Sequence, residues 1–394
     1  MIMTTEMISL SRLNEGNQTR LLGLMAKAKQ KNDITVAFIG GSITQCFSAG
    51  PQACYARLAT DWFCASFPDI NVTYINAGVG ATGSYFGVHR VGHDVLRFGP
   101  DLVFVEFSVN DTAEETERNR EAYGSLLHKI WHHESRPAVI TVAMTMEDGR
   151  SFQDEHLKAA RHYDVPMISY RNAVFAAAES GAFRWADISD DDIHPNENGH
   201  RLLAGLIIAY LEDVKKHPPG CQADDPLSDA AFASGKYVKA VLLRPDSTIP
   251  PGGADDAGDS DDSGGGFSCP CRCGLDAVFG KLLSSGGFMT SGENFGNVAG
   301  YWRLAKRMTF AVKCRNIGIF YAKLTDKGGD FTVFVDGVKI KDVNTDFSGG
   351  WGDYVEGEEF FTAPEMAEHI IEVLANPENT AGNKEILITA IALS

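Results

Sequence analysis

Ile34-Thr-Val-Ala-Phe-Ile39-Gly-Gly-Ser42-Ile-Thr44 decides how this chain is read. The run from Ile34 to Ile39 is apolar apart from Thr35, the pattern of a strand covered on both faces, and two glycines then let the backbone turn sharply. A serine after such a turn sits at the carboxyl end of a strand. Open α/β sheets bind their ligands there, which makes Ser42 a candidate nucleophile. The position also suits an N-cap serine opening the next helix, and the stretch alone permits either role.

Working outward, a helical pattern over residues 17–31 leads into this strand. After Ser42 the spacing predicts a helix over 52–67, with Tyr55, Leu58, Trp62 and Phe63 on one face. A strand over 71–75 ends in a second small-residue turn, Asn76-Ala-Gly-Val-Gly-Ala-Thr-Gly83. The alternation continues with a helix to about Arg97, a strand over 102–107 ending in Ser108-Val-Asn-Asp111, and a helix over 118–132. Then come a strand over 138–143, a helix over 153–163, a short strand over 166–168 and a helix over 172–180. The loop 187–195 enters a last helix whose first turn suits Pro195 and whose buried stripe is Leu202, Leu203, Leu206 and Ile207. Five strands alternating with helices specify a parallel sheet with helices on both faces, because the crossovers are right-handed. This domain is expected to span 1–216.

The texture changes at His217-Pro-Pro-Gly220. Residues 251–266, mainly Gly, Asp and Ser, read as a mobile acidic loop or linker, and their aspartates lack the ligand pattern of an EF-hand. Short alternating runs follow at 308–313, 317–323, 331–335, 369–374 and 385–391, with Asp336-Gly337 placed as in a tight hairpin. They predict a second domain, 217–394, built as an antiparallel β-sandwich with Trp302 in its core. Residues 237–243 could supply its first strand, which would make the acidic stretch an internal loop.

The chain has 394 residues, 44% hydrophobic and 22% charged, enough for two sizeable cores and inconsistent with wholesale disorder. A formal net charge of -17 argues against nucleic acid and anionic membranes as partners, since both need a cationic surface. No run reaches the ~18 apolar residues of a membrane span. The first residues lack the basic start, apolar middle and cleavage site of a signal peptide, so a cytoplasmic protein is expected. The eight cysteines show no paired spacing of a disulfide scaffold, and Cys269, Cys271 and Cys273 alternate in a way that suits a zinc site poorly. No metal or cofactor is expected, and self-association into a homo-oligomer stays open.

A serine hydrolase needs a nucleophile, a base, an orienter for the base and donors for the oxyanion. Asp191-Asp192-Ile193-His194-Pro195 puts a carboxylate three residues before a histidine, a spacing that lets it fold back on Nδ1–H and leave Nε2 for the serine. Asp190 and Asp192 are neighbouring alternatives to Asp191. Asn110, after a strand, offers a side-chain amide, and the 76–83 turn offers backbone N–H groups. Gly80 or Ala81, the Ser42 N–H and Asn110 are the expected oxyanion donors. His89, His93 and His200 are assigned structural or surface roles.

Gly-Gly-Ser42-Ile-Thr, the turn with Gly78 and Gly80, Val109-Asn110-Asp111 and Asp191-x-x-His194 together resemble the four sequence blocks of the SGNH (GDSL-type) esterase and lipase superfamily. The resemblance covers roughly residues 33–215. It implies a flavodoxin-like three-layer α/β/α domain and ester hydrolysis without a metal. Gly41 stands where Asp is common, and Ser108 where glycine is usual. The second half resembles the β-sandwich, jelly-roll-like, appended to bacterial SGNH carbohydrate esterases. Its aromatic loop, with Trp351 and Tyr354, could stack on a sugar ring or overhang the active site. The expectation is an acetylesterase acting on an acetylated carbohydrate or another small ester. A lipase, lysophospholipase or thioesterase for longer acyl chains, and a non-catalytic glycan-binding protein, are the rivals.

Overall fold

The computed structural model describes residues 3–217, 230–245, 279–283, 288–349, 352–380 and 384–394, and the chain divides into two units, Met1–Val238 and Lys239–Ser394. In the first, α1 (Thr5–Ser11), β1 (Arg12–Asn14), α2 (Thr19–Lys29), β2 (Ile34–Gly40) and the one-turn α3 (Ser42–Gln45) precede α4 (Tyr55–Ser66) and β3 (Val72–Gly78). Then follow α5 (Ser84–Asp94), β4 (Leu102–Glu106), α6 (Thr116–Trp131), β5 (Ala138–Ala143), α7 (Gln153–His162), β6 (Met167–Ser169), α8 (Tyr170–Glu179) and α9 (Glu197–Lys216). The sheet order is β1-β6-β5-β4-β2-β3. The five predicted strands are parallel, with β2 between β4 and β3. The sixth, β1, is an antiparallel edge of three residues, too short and polar to show in the sequence pattern.

Because β2 has a partner on both sides and helices on both faces, its side chains are almost all buried. Phe38 stacks on Phe104 at 4.6 Å and meets Tyr55 edge-on at 5.8 Å. Truncating so enclosed a ring to alanine costs ~3–5 kcal/mol, which makes this strand a rigid mount for the turn beyond it.

Several boundaries differ from the sequence reading. Helix α4 starts at Tyr55, after an N-cap Cys54, because residues 51–53 form a turn. That turn is closed by a disulfide, Cys46–Cys54, with a Cα–Cα distance of 5.2 Å. An eight-residue spacing of two cysteines carries no sequence signature, and only the turn after Ser42 brings them together. Pro195 lies ahead of α9, whose N-cap is Asn196, its side chain accepting from the Asn198 and Gly199 N–H groups. The division into units falls beyond Lys216. Tyr237 is buried against Tyr85 and His89, and Phe232 N–H donates to Tyr163 Oη at 2.8 Å, so residues 230–238 go with the first unit.

The second unit comprises, among the described residues, β7 (Val241–Leu243), β8 (Phe279–Leu282), β9 (Phe288–Ser291), β10 (Tyr301–Leu304), β11 (Arg307–Thr325), β12 (Asp330–Val335), β13 (Val338–Asn344), β14 (Asp346–Phe347), β15 (Tyr354–Ala375) and β16 (Leu387–Leu393). The main order is β13-β12-β15-β11-β16-β10-β9, antiparallel throughout, with only two-residue β14 running parallel to β11. The runs 308–313 and 317–323 are one strand, β11, interrupted by register shifts between Cys314 and Gly318 where the sequence reading expected a break. Asp336 and Gly337, both at positive φ, make the expected hairpin turn between β12 and β13. Trp302 is buried with Phe310, Tyr321 and Phe331. Of residues 237–243, only β7 joins this sheet, pairing with β16. Residues 251–266, Cys269, Cys271, Cys273 and Trp351 lie outside the described residues. Among those described, no helix is long and apolar enough to cross a membrane.

Candidate active site

Ser42 is the first residue of α3, and Gly41, not Ser42, caps that helix. Its hydroxyl is thus free of the capping role that the sequence also allowed, and Oγ lies 2.9 Å from His194 Nε2. The turn can seat there because β3 ends in Gly78, where a Cβ would come within 2.2 Å of the Gln45 backbone nitrogen. The α3 turn rests directly on that glycine.

His194 comes from the loop before α9. Its Nδ1 lies 2.7 Å from Asp191 Oδ2, while Asp191 Oδ1 accepts the N–H groups of Ile193 at 2.7 Å and His194 at 2.5 Å. A carboxylate only accepts, so Nδ1 carries the proton and Nε2 is left to accept from the serine. Burial raises the Asp191 carboxyl, but the hydrogen bonds from His194 and Ile193 outweigh it and hold the group below its ordinary value. The loop is braced from behind. Trp185 Nε1–H donates to the Asp191 carbonyl at 2.7 Å, and the Ser189 hydroxyl reaches the carbonyls of Asp191 and His194 at 2.8 and 2.5 Å. Among the described residues Asp192 makes no bond to the imidazole. Asp190 Oδ1 accepts from Asn196. The choice among three aspartates, open in the sequence, falls on Asp191.

The predicted oxyanion donors sit on two turns beside Ser42. Asn110 packs its side-chain amide on Gly41, where a Cβ would come within 2.0 Å of Oδ1. A Cβ on Gly80 would be 3.8 Å from Ser42 Cβ, so that backbone is adjacent to the hydroxyl. Its N–H is engaged, however, donating to Gln45 Oε1 at 2.5 Å. Ala81 holds a left-handed φ of 58°, which ends the β3 turn. The Ser42 N–H, at the first position of a one-turn helix, has no acceptor within that helix.

Sequence reasoning missed what lies beneath these turns. Asp111 Oδ1 accepts the Ser84 N–H at 2.8 Å, and Oδ2 bonds His156 Nε2 at 2.8 Å, tying the Asn110 turn to the start of α5. The His156 ring stacks on Tyr123 at 3.5 Å. Glu106, fully buried at the end of β4, is pushed up to about 8 by burial, against hydrogen bonds from the Ser108 and Gly41 backbone and the Thr44 hydroxyl. Ser108, standing where glycine is usual, accepts the Met144 N–H at 2.7 Å and so ties β4 to β5. Also unforeseen was Phe47, exposed beside His194 with ring centroids 4.6 Å apart. None of these gives a local sequence signal, because almost every partner comes from a distant segment.

Residues 38–202 match the GDSL-like Lipase/Acylhydrolase family. That span holds Ser42, Gly80, Asn110, Asp191 and His194. The whole chain is similar to a two-domain esterase (CEX) active on acetylated mannans, at 27% identity and a TM-score of 0.80, over 98% of both chains. The same esterase co-crystallised with mannopentaose matches at 26% identity and 0.78, again over 98% of both. No curated protein sequence matches this one. The chain thus has an α/β domain that matches this family over residues 38–202, followed by an antiparallel sheet domain, and over its length it is similar to that two-domain esterase.

Tyr354 lies in the second unit, where its hydroxyl bonds Glu356 Oε2 at 2.9 Å and its ring meets Phe347 edge-on. His89 and His200 are buried and His93 is partly exposed, none within hydrogen-bond reach of Ser42. Among the described residues no group of three or more His, Cys, Asp and Glu is arranged to hold a metal ion.

Proposed function

We propose that the first unit is a serine acetylesterase that removes acetyl groups from an acetylated oligosaccharide through an acyl-enzyme on Ser42. The Asp191–His194–Ser42 relay, two hydrogen bonds of 2.7 and 2.9 Å, carries the reading. Ser42 Oγ attacks the ester carbonyl while Nε2 takes its proton. The carbonyl oxygen becomes an anion facing the Ser42 N–H and the Asn110 amide. Gly80 N–H joins them once substrate displaces the Gln45 side chain. His194 then protonates the departing sugar oxygen. In the second half it takes a proton from water, whose oxygen attacks the acyl carbon; the bond to Ser42 Oγ then breaks as His194 returns that proton to it, releasing acetic acid, which ionises to acetate, and the free serine.

The acetylated substrate is supported by the similarity, over nearly the full chain, to an esterase active on acetylated mannans. Ser42→Ala is expected to abolish hydrolysis of an aryl acetate and of acetylated mannooligosaccharides while the melting temperature stays in place; retention of most activity would reject the nucleophile. An acyl series from acetate to octanoate separates this reading from a lipase, and preference for the long chains would overturn it.

A further inference from the structure

Phe47 is an apolar ring left 56% exposed, and among the exposed large hydrophobic side chains described in the first unit it is the one that touches a member of the catalytic relay. Its loop is held firmly. The Cys46–Cys54 disulfide closes residues 47–53, Phe47 N–H donates to the Ser42 carbonyl at 3.0 Å, and Gly50 N–H donates to Cys46 at 3.0 Å. Cys46 and Ser48 are both non-glycine residues in the left-handed region, at φ 75° and 71°, a conformation that persists only where surrounding structure imposes it. Buried His200 lies beneath, its Nδ1 accepting the Tyr55 N–H at 3.1 Å, which fixes the end of the loop next to the disulfide. A covalent tie, strained backbone and a buried imidazole thus present a hydrophobic ring to solvent, which burial energetics alone would not favour.

The side of the site on which the ring lies identifies what it meets. In the reaction proposed above, Nε2 first accepts the serine proton and then hands it to the leaving alcohol, so the alcohol half of the ester must lie on the imidazole side of Ser42. The acyl half lies toward the oxyanion donors. Phe47 packs on the imidazole, hence in the alcohol half. We propose that Phe47 is a specificity-determining platform of this esterase, stacking on the sugar ring that bears the acetyl group, with the Cys46–Cys54 disulfide holding it in place. The C–H face of a pyranose against an aromatic ring is the contact that such a surface offers. The inference rests on the serine-esterase reading of the same site.

The test compares kcat/KM for acetylated mannooligosaccharides, hexyl acetate and ethyl acetate in the full-length protein. Phe47→Ala is expected to lower the ratio of sugar ester to ethyl acetate about tenfold, with Phe47→Trp restoring it. The Cys46→Ala, Cys54→Ala double variant should lower the same ratio. An equal loss on all three esters would show that Phe47 merely holds His194, and an equal fall for hexyl acetate and sugar ester would make it a general apolar contact; either overturns the proposal. So does a Phe47→Trp variant as poor as alanine, or a ratio unchanged in Phe47→Ala. If the unmodified protein hydrolyses none of the three, the esterase reading itself fails; if it hydrolyses them and the ratio does not move, only this inference does.

Discussion

Asp191→Asn replaces one carboxylate oxygen by an amide nitrogen, and the surroundings of Asp191 set the cost. Oδ1 accepts two backbone N–H groups, and Oδ2 accepts His194 Nδ1–H. If the asparagine oxygen keeps the backbone pair, its NH2 faces Nδ1 and donates to it. The imidazole proton then sits on Nε2, which can no longer accept from Ser42. If the amide flips to restore the productive tautomer, its NH2 opposes two backbone N–H donors, which are left without an acceptor. Each unsatisfied donor costs ~1–3 kcal/mol, so the productive arrangement lies ~2–6 kcal/mol above the resting one. That corresponds to about 10–10⁴ in kcat/KM. Hydrolysis of an aryl acetate by Asp191→Asn and Asp192→Asn, each with its melting temperature, measures it. A loss below about tenfold in Asp191→Asn, or a larger loss in Asp192→Asn, would refute the reasoning.

Gly41→Ala should turn the Asn110 amide away, since the new Cβ would come within 2.0 Å of Oδ1. A loss of kcat of about 10²-fold with KM little changed is the expected signature, and unchanged kcat would remove Asn110 from the oxyanion donors. Stability should vary with pH through two buried groups. His200 is pushed by burial from 6.5 down to about 4, so its contribution is complete above pH 6.5 and is lost as pH falls toward 4, at up to ~1.4 kcal/mol per unit. Glu106, raised from 4.5 to about 8, acts oppositely, its contribution complete below 4.5 and lost as pH rises toward 8. Melting curves of Glu106→Gln should therefore lose less stability between pH 6.5 and 8 than the unmodified protein, by ~2 kcal/mol; an unaltered slope would contradict the burial argument. A non-reducing peptide map should contain a linked Cys46–Cys54 pair that reduction removes. Such a bond persists in oxidising compartments, so finding it in protein from its native host weighs against the cytoplasmic expectation, and free thiols at both positions would dismiss the disulfide.

Much of the first unit was legible because its signals are local. A strand buried on both faces writes itself as an apolar run, as residues 34–39 do, and the amphipathic helices write theirs at helical spacing. Asp191 and His194 are three residues apart, so one loop can bring them together, and the short sequence motif suffices. What failed was weak or non-local. Strand β1 is too short for a period, β11 passes through bulges that look like breaks, and residues 230–238 are tied to the first unit by Tyr85, His89 and Tyr163, far away in the chain.

Ser42 shows the division most plainly. Its sequence determined that a serine would stand at the end of a buried strand after two small residues, and that much follows from apolar patterning and glycine's backbone freedom. Whether that hydroxyl caps a helix or meets a base was decided only in three dimensions, by Gly41 taking the cap and by a loop some 150 residues later placing Nε2 at 2.9 Å. The same closure of distant segments set Phe47 on His194, whereas the folding of two short turns, equally invisible in the residue pattern, chose Asp191 over its neighbours and paired Cys46 with Cys54. Local preference shapes the elements of this protein; the chemistry resides in contacts between elements, which no single stretch encodes.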